Sequence, residues 1–159
     1  MLKNKKLHQF FFVLSIIGLI SGLIVHLISI MGKYLGNDYP FVWALHFGVF
    51  VVFIPAILSL RNNAKLTSLE SKKPYNPVKK FTEYFQYAPK SIKVLIMLFF
   101  VYAIINFYLV FAVFGSDGQE LSDSQQLRAF SGHWMLFYAV SMGILWPPNL
   151  IQVKNDTSI

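Results

Sequence analysis

Four stretches of this chain contain no Asp, Glu, Lys or Arg: Leu7 to Gly32, Tyr39 to Leu60, Val94 to Ser116 and Ala129 to Val153, which hold 26, 22, 23 and 25 residues. A helix needs about 20 apolar residues to cross a bilayer core of about 30 Å. Each stretch exceeds that. The sequence therefore predicts an all-α integral membrane protein, an antiparallel bundle of four transmembrane helices in one domain spanning residues 1–159. The spans are expected over approximately 9–31, 40–60, 92–115 and 129–147. Composition agrees: 13% of the residues are charged, against about 25% in a soluble domain.

The remaining charges sort by side. Lys3, Lys5 and Lys6, the link between spans two and three, and Lys154 together supply 12 basic residues against Glu70, Glu83 and Asp156. The other side has Lys33 and Arg128 against Asp38, Asp117, Glu120 and Asp123. The positive-inside rule then places both termini in the cytoplasm of a bacterial inner membrane. The formal charge of +7 describes topology and contact with anionic lipid at the cytoplasmic face, rather than a nucleic-acid partner. The first apolar run is longer than a signal-peptide core and no A-x-A-like site follows it, so it reads as a retained span.

Absences narrow the chemistry. The chain has no cysteine, which excludes thiol–disulfide exchange, iron–sulfur ligation and Cys-type zinc sites. The spans carry no carboxylate to load and release a proton, which argues against a proton-driven exporter. Only histidine and neutral polar groups are left for intramembrane chemistry.

Between spans two and three, Asn76 can cap a helix, Pro77 suits its first position and Pro89 stops it. Val78, Phe81, Phe85 and Ala88 fall on one face, so an amphipathic helix over approximately 77–88 is expected on the inner membrane surface; the other occupant of that face would be a partner. The outer link before span four is polar, and Ser122 and Asp123 can begin a helix leading into that span.

Within the first span Ser15, Gly18, Gly22, His26 and Ser29 follow a helical course. Gly18 and Gly22 form a small-xxx-small motif that admits a close helix, so His26 should face protein. Taking about 1.5 Å per residue, His26, His46 and His133 lie roughly 6 to 9 Å below the outer ends of three different spans. His46 lies nearly opposite the small face made by Ala44, Gly48, Pro55 and Ser59, and His133 about 100° from the Gly132, Ala139 and Gly143 side. Asn106, near mid-membrane, needs hydrogen-bond partners and reads as glue between helices.

Three functions follow as expectations. The first is a non-enzymatic subunit or accessory protein of a membrane complex, held to a membrane-protein partner or a second copy through small-residue faces. The second is a haem b- or copper-binding electron-transfer or metal-handling protein using His46 and His133, with His26 as a further ligand and Lys33 and Arg128 placed to meet haem propionates. The third is a small-molecule channel or carrier along Asn106 and the histidines.

The stretch Arg128-Ala-Phe-Ser-Gly-His-Trp-Met-Leu-Phe-Tyr138 resembles a block found in small four-span bacterial membrane proteins with no assigned activity. The resemblance implies a site centred on His133. A fainter likeness is to small prokaryotic b-type cytochromes with four spans, from which the chain departs by lacking an early His-Trp in the first span.

Overall fold

The structure, a computed structural model, describes residues 5–36, 39–68, 84–85, 87–114 and 120–147. Within them the chain forms four α-helices: α1 (Lys5–Ile30), α2 (Val42–Ser68), α3 (Lys90–Tyr108) and α4 (Asp123–Ile144), with α3 continued by a π-helical stretch over Leu109–Phe114. Three are long and apolar enough to cross a membrane, over Lys6–Ile30, Val42–Leu60 and Lys90–Ala112. α4 falls below that hydropathy because Arg128, Ser131, Gly132, His133, Ser141 and Gly143 dilute its apolar residues.

Local chemistry sets the helix ends. α1 stops at Gly32, whose φ of 77° costs no side-chain clash, and Lys33 N–H returns to the Ile28 carbonyl at 3.3 Å. That is the six-to-one bond of a glycine-terminated helix. α4 starts earlier than the expected span because Ser122 caps it. Its hydroxyl accepts the Gln125 N–H, while the Gln125 side chain accepts the Ser122 N–H at 2.9 Å, the reciprocal arrangement of a capping box. The outer-link helix expected at Ser122 is thus continuous with α4.

α4 is the hub of the molecule. α1, α2 and α3 all pack on it, and α1 also packs on α2. Contacts along α1 and α4 pair in opposite order: Gly18 with Tyr138, Gly22 with Met135, and His26 with Ser131. Contacts along α2 and α4 rise together, from Trp43 with Phe130 through His46 with Trp134 to Phe53 with Phe137. On the α3 side, Asn106 meets Gly132 and Ile96 meets Gly143.

The outside of the bundle is far more apolar than that of a water-soluble one, around an interior that is apolar with a few polar groups. Only 33% of the apolar window of α1, and 22% of those of α2 and α3, is buried. Their outward faces carry Ile17, Ile20, Ile24, Phe47, Ile54, Leu98, Val101 and Ile104, all exposed. The interior instead encloses Ser15, His26, Ser29, Asn106, Ser131 and Ser141. Large exposed apolar surface around a partly polar centre is the arrangement that a hydrocarbon solvent permits and water penalises.

Tyr138 bolts three helices together. Its ring fills the notch at Gly18 on α1, and its hydroxyl donates to the Leu45 carbonyl on α2 at 2.8 Å, against Gly48. The small-residue motif of α1 is therefore occupied by this chain's own α4.

Most of the expected interfacial helix, residues 77–83 and 86, lies outside the described residues. At its end, Phe85 and Ala88 are buried in a cluster with Ile96 and Ala139. For these two side chains the lipid-facing expectation is corrected: they pack into the end of the bundle near the start of α3 and the end of α4, where Phe85 fills the space beside Gly143.

Candidate functional site

Apart from Ser15 and Ser141, the polar side chains of the interior gather at one level of α4, set by Phe-Ser-Gly-His-Trp over residues 130–134. Successive residues of a helix differ in direction by about 100°. Ser131 therefore turns to α1, Gly132 to the α1–α3 side, and Trp134 to α2. His133 is left on the side that none of the three helices covers.

His26 is 2% exposed and both ring nitrogens are spent. Nδ1 lies 2.8 Å from Ser131 Oγ, and Nε2 bonds to the Tyr102 hydroxyl. The Ser131 hydroxyl has one proton, which it donates to the Leu127 carbonyl at 2.7 Å. With the proton so placed, Nδ1–H of His26 donates to Ser131 and the Tyr102 O–H to Nε2; in the other tautomer both bonds reverse. The result is a directed chain from α3 through α1 to α4, with every member satisfied. Ser131 beside His26 has the composition of a nucleophile–base pair. Its hydroxyl is fully buried and held at a helix carbonyl, so it is a structural pair.

A second set of bonds joins α3 to α4. Arg128 Nε donates to Asn106 Oδ1 at 2.9 Å, and Asn106 Nδ2 donates to the Arg128 carbonyl at 3.2 Å. Gly132 makes room for this amide: a Cβ there would lie 2.7 Å from Asn106 Nδ2. Asn106 thus links α3 to α4, and Arg128, offered by the sequence as a propionate partner, has Nε engaged with Asn106.

His46 faces α4 among Phe50, Phe130 and Trp134, whose ring centroids lie 5.8 to 6.0 Å away. Trp134 Nε1–H donates to its Nδ1 at 3.0 Å. The proton of the neutral ring is thereby fixed on Nε2. A metal-binding imidazole needs the reverse, one nitrogen donating to a neighbour and the other bare. His133 has that form: its Nδ1–H donates to the Ala129 carbonyl at 2.8 Å, which leaves Nε2 as the acceptor.

The three histidines thus share a level but not a site. His26 is held on the α1 side of α4 by Ser131 and His46 on the neighbouring α2 side by Trp134, while His133 lies on the open side between α2 and α3. Both His46 and His133 line a cavity of about 210 Å³ between α2 and α4, but only His133 has a ligand-ready nitrogen. Among the described residues no three His, Asp or Glu side chains group as a metal site.

Sequence reasoning found the histidines, Asn106 and the two glycines. It missed the partners Tyr102, Ser131, Trp134 and Tyr138, because hydroxyl and indole donors are ordinary in apolar spans and declare themselves only across helices. Compared with known proteins, the chain matches no protein family, no curated protein and no solved structure.

Proposed function

We propose that this chain is a four-span protein of the bacterial inner membrane, with both termini cytoplasmic, serving as a non-enzymatic subunit or accessory protein of a membrane complex. α4 is the fourth span in this reading. Its low hydropathy is tolerable because α1, α2 and α3 screen most of it from lipid, and the opposed contact order of α4 with α1 and α3 supports an antiparallel bundle.

One observation supports the accessory role: at the 128–134 level of α4 the polar side chains bond across helices. Tyr102, His26 and Ser131 form one closed chain, Asn106 and Arg128 a second, Trp134 and His46 a third. A catalytic centre keeps an acid, base or nucleophile poised toward a space where substrate sits; these groups instead fix helices. Because Gly18 and Gly22 already hold α4, a partner must bind an outward face such as that of Phe47, Val51 and Ile54 on α2.

Photo-crosslinking residues placed at Phe47, Ile54, Ile20 and Val101 in cells test this. The expected result is a stoichiometric adduct with the same membrane protein, or with a second copy, from the sites of one face. Adducts to lipid alone from all four sites would overturn the proposal.

A further inference from the structure

α4 is covered on three sides. The fourth carries His133, with Phe130 and Phe137 on its α2 edge and Leu136 on its α3 edge. Among the described residues, α2 and α3 form no packing interface that would close this side. A cavity lies along each edge: about 210 Å³ toward α2, and about 310 Å³ toward α3, the latter lined by Phe100, Ala103, Ile104, Phe107, His133 and Leu136. His133 is the one residue common to both, and the one polar side chain of the larger.

The larger cavity has a defined hydrogen-bonding demand. Because Nδ1–H of His133 is committed to the Ala129 carbonyl, the ring offers a lone pair at Nε2, which meets no donor among the described residues. Lipid acyl chains cannot supply one. An acceptor left unmatched in hydrocarbon is unfavourable, so the matched occupant is an apolar molecule carrying an O–H. The wall beside His133 is aromatic. Phe107 stands edge-on to the imidazole with centroids 5.5 Å apart and packs on Phe111 at 4.6 Å, while Phe100 lines the same space. Rings favour edge-to-face and offset neighbours, which selects an aromatic head over an aliphatic alcohol. The space is an open groove on the helix surface, mostly apolar with one oriented polar group on its wall.

We propose that the α3–α4 groove binds the head group of a membrane-soluble hydroquinone, whose phenolic hydroxyl donates to His133 Nε2. The alkyl tail leaves along the open side of α4 into lipid. This site goes beyond the accessory role and uses a different surface from the outward face of α2, so either proposal can fail without the other.

The test is binding of decyl-substituted hydroquinone, kept reduced under anaerobic conditions, to the full chain in lipid nanodiscs, measured by partition against empty nanodiscs. The quinone form has only acceptors and loses the bond, so the hydroquinone should bind about five- to tenfold more tightly, the worth of one hydrogen bond. His133→Phe should bring the two forms level, and His133→Gln, which keeps an acceptor, should restore part of the difference. His133 bonds only within α4, so these variants leave the helix-to-helix hydrogen bonds intact, and the comparison of the two forms on the unaltered chain needs no variant. Equal affinity for both forms, an unchanged preference in His133→Phe, or purified protein carrying haem or metal on His133 would overturn the proposal.

Discussion

The glycines show how sharply single positions differ within one packing motif. Gly18 and Gly22 look equivalent in sequence. A Cβ at Gly18 would fall inside the Tyr138 ring, whereas one at Gly22 would meet Met135 Cγ at 3.6 Å, an ordinary contact. Gly18→Ala should therefore destabilise the protein by about 1–3 kcal/mol, the range for overpacking, while Gly22→Ala should be close to neutral; thermal unfolding in detergent reads the difference. Gly48 gives a finer case. Its Cβ would fall on the Tyr138 hydroxyl, but the next ring atom, Cζ, is 3.6 Å away. Tyr138→Phe removes the obstacle together with the bond to Leu45, at a cost of about 1 kcal/mol. Gly48→Ala should be destabilising alone and nearly neutral in the Tyr138→Phe background, giving a coupling energy that a double-mutant cycle measures. Additive effects would show that Tyr138 does not occupy the Gly48 notch.

At the scale of the element, α4 gathers the interhelical hydrogen bonds that hold it to α1, α2 and α3. Asn106→Leu leaves the Nε–H of Arg128 without its acceptor and the amide space beside Gly132 filled by a branched chain, so it should cost about 2–4 kcal/mol. Tyr102→Phe removes only a donor to His26, and should cost about 1 kcal/mol; both estimates take the larger penalty of a stranded charged donor over a lost neutral bond. Equal losses in thermal stability would count against the Arg128–Asn106 geometry. The same contrast explains what the sequence could reveal. Long charge-free runs announced α1, α2 and α3, whose exposed as well as buried side chains are mostly apolar. α4 was legible from the charge-free run Ala129 to Val153 and its start from Ser122, yet its enclosure was not, since burial by other helices leaves no periodic mark when partners sit on three of its sides. Likewise the common level of His26, His46 and His133 followed from counting residues. Their separation did not, because it depends on which side of α4 each helix takes.

For the whole molecule, the order of charges and the packing make a joint demand on assembly. Twelve basic residues lie on the expected inner side and two on the outer, which orients the first three helices by the positive-inside rule. α4 is different: it carries Arg128 and His133, it is the least hydropathic of the four, and its stable position is between helices that have already been made. A polar residue in a span is tolerated where neighbouring helices supply its partners, so α4 should enter the membrane by docking rather than by its own hydrophobicity. Topology reporters test this directly. A reporter fused after residue 122 should lie on the outer side, and one at the C-terminus of the full chain on the cytoplasmic side. Segment 123–147 placed alone in an insertion assay should integrate poorly. In the full chain, Asn106→Leu combined with Gly18→Ala should shift part of the C-terminal reporter to the outer side, because these changes remove docking contacts on the α3 and α1 faces of α4. Efficient integration of the isolated segment would show instead that α4 is an independent span, and a C-terminal reporter found outside in the unaltered chain would show that α4 does not cross.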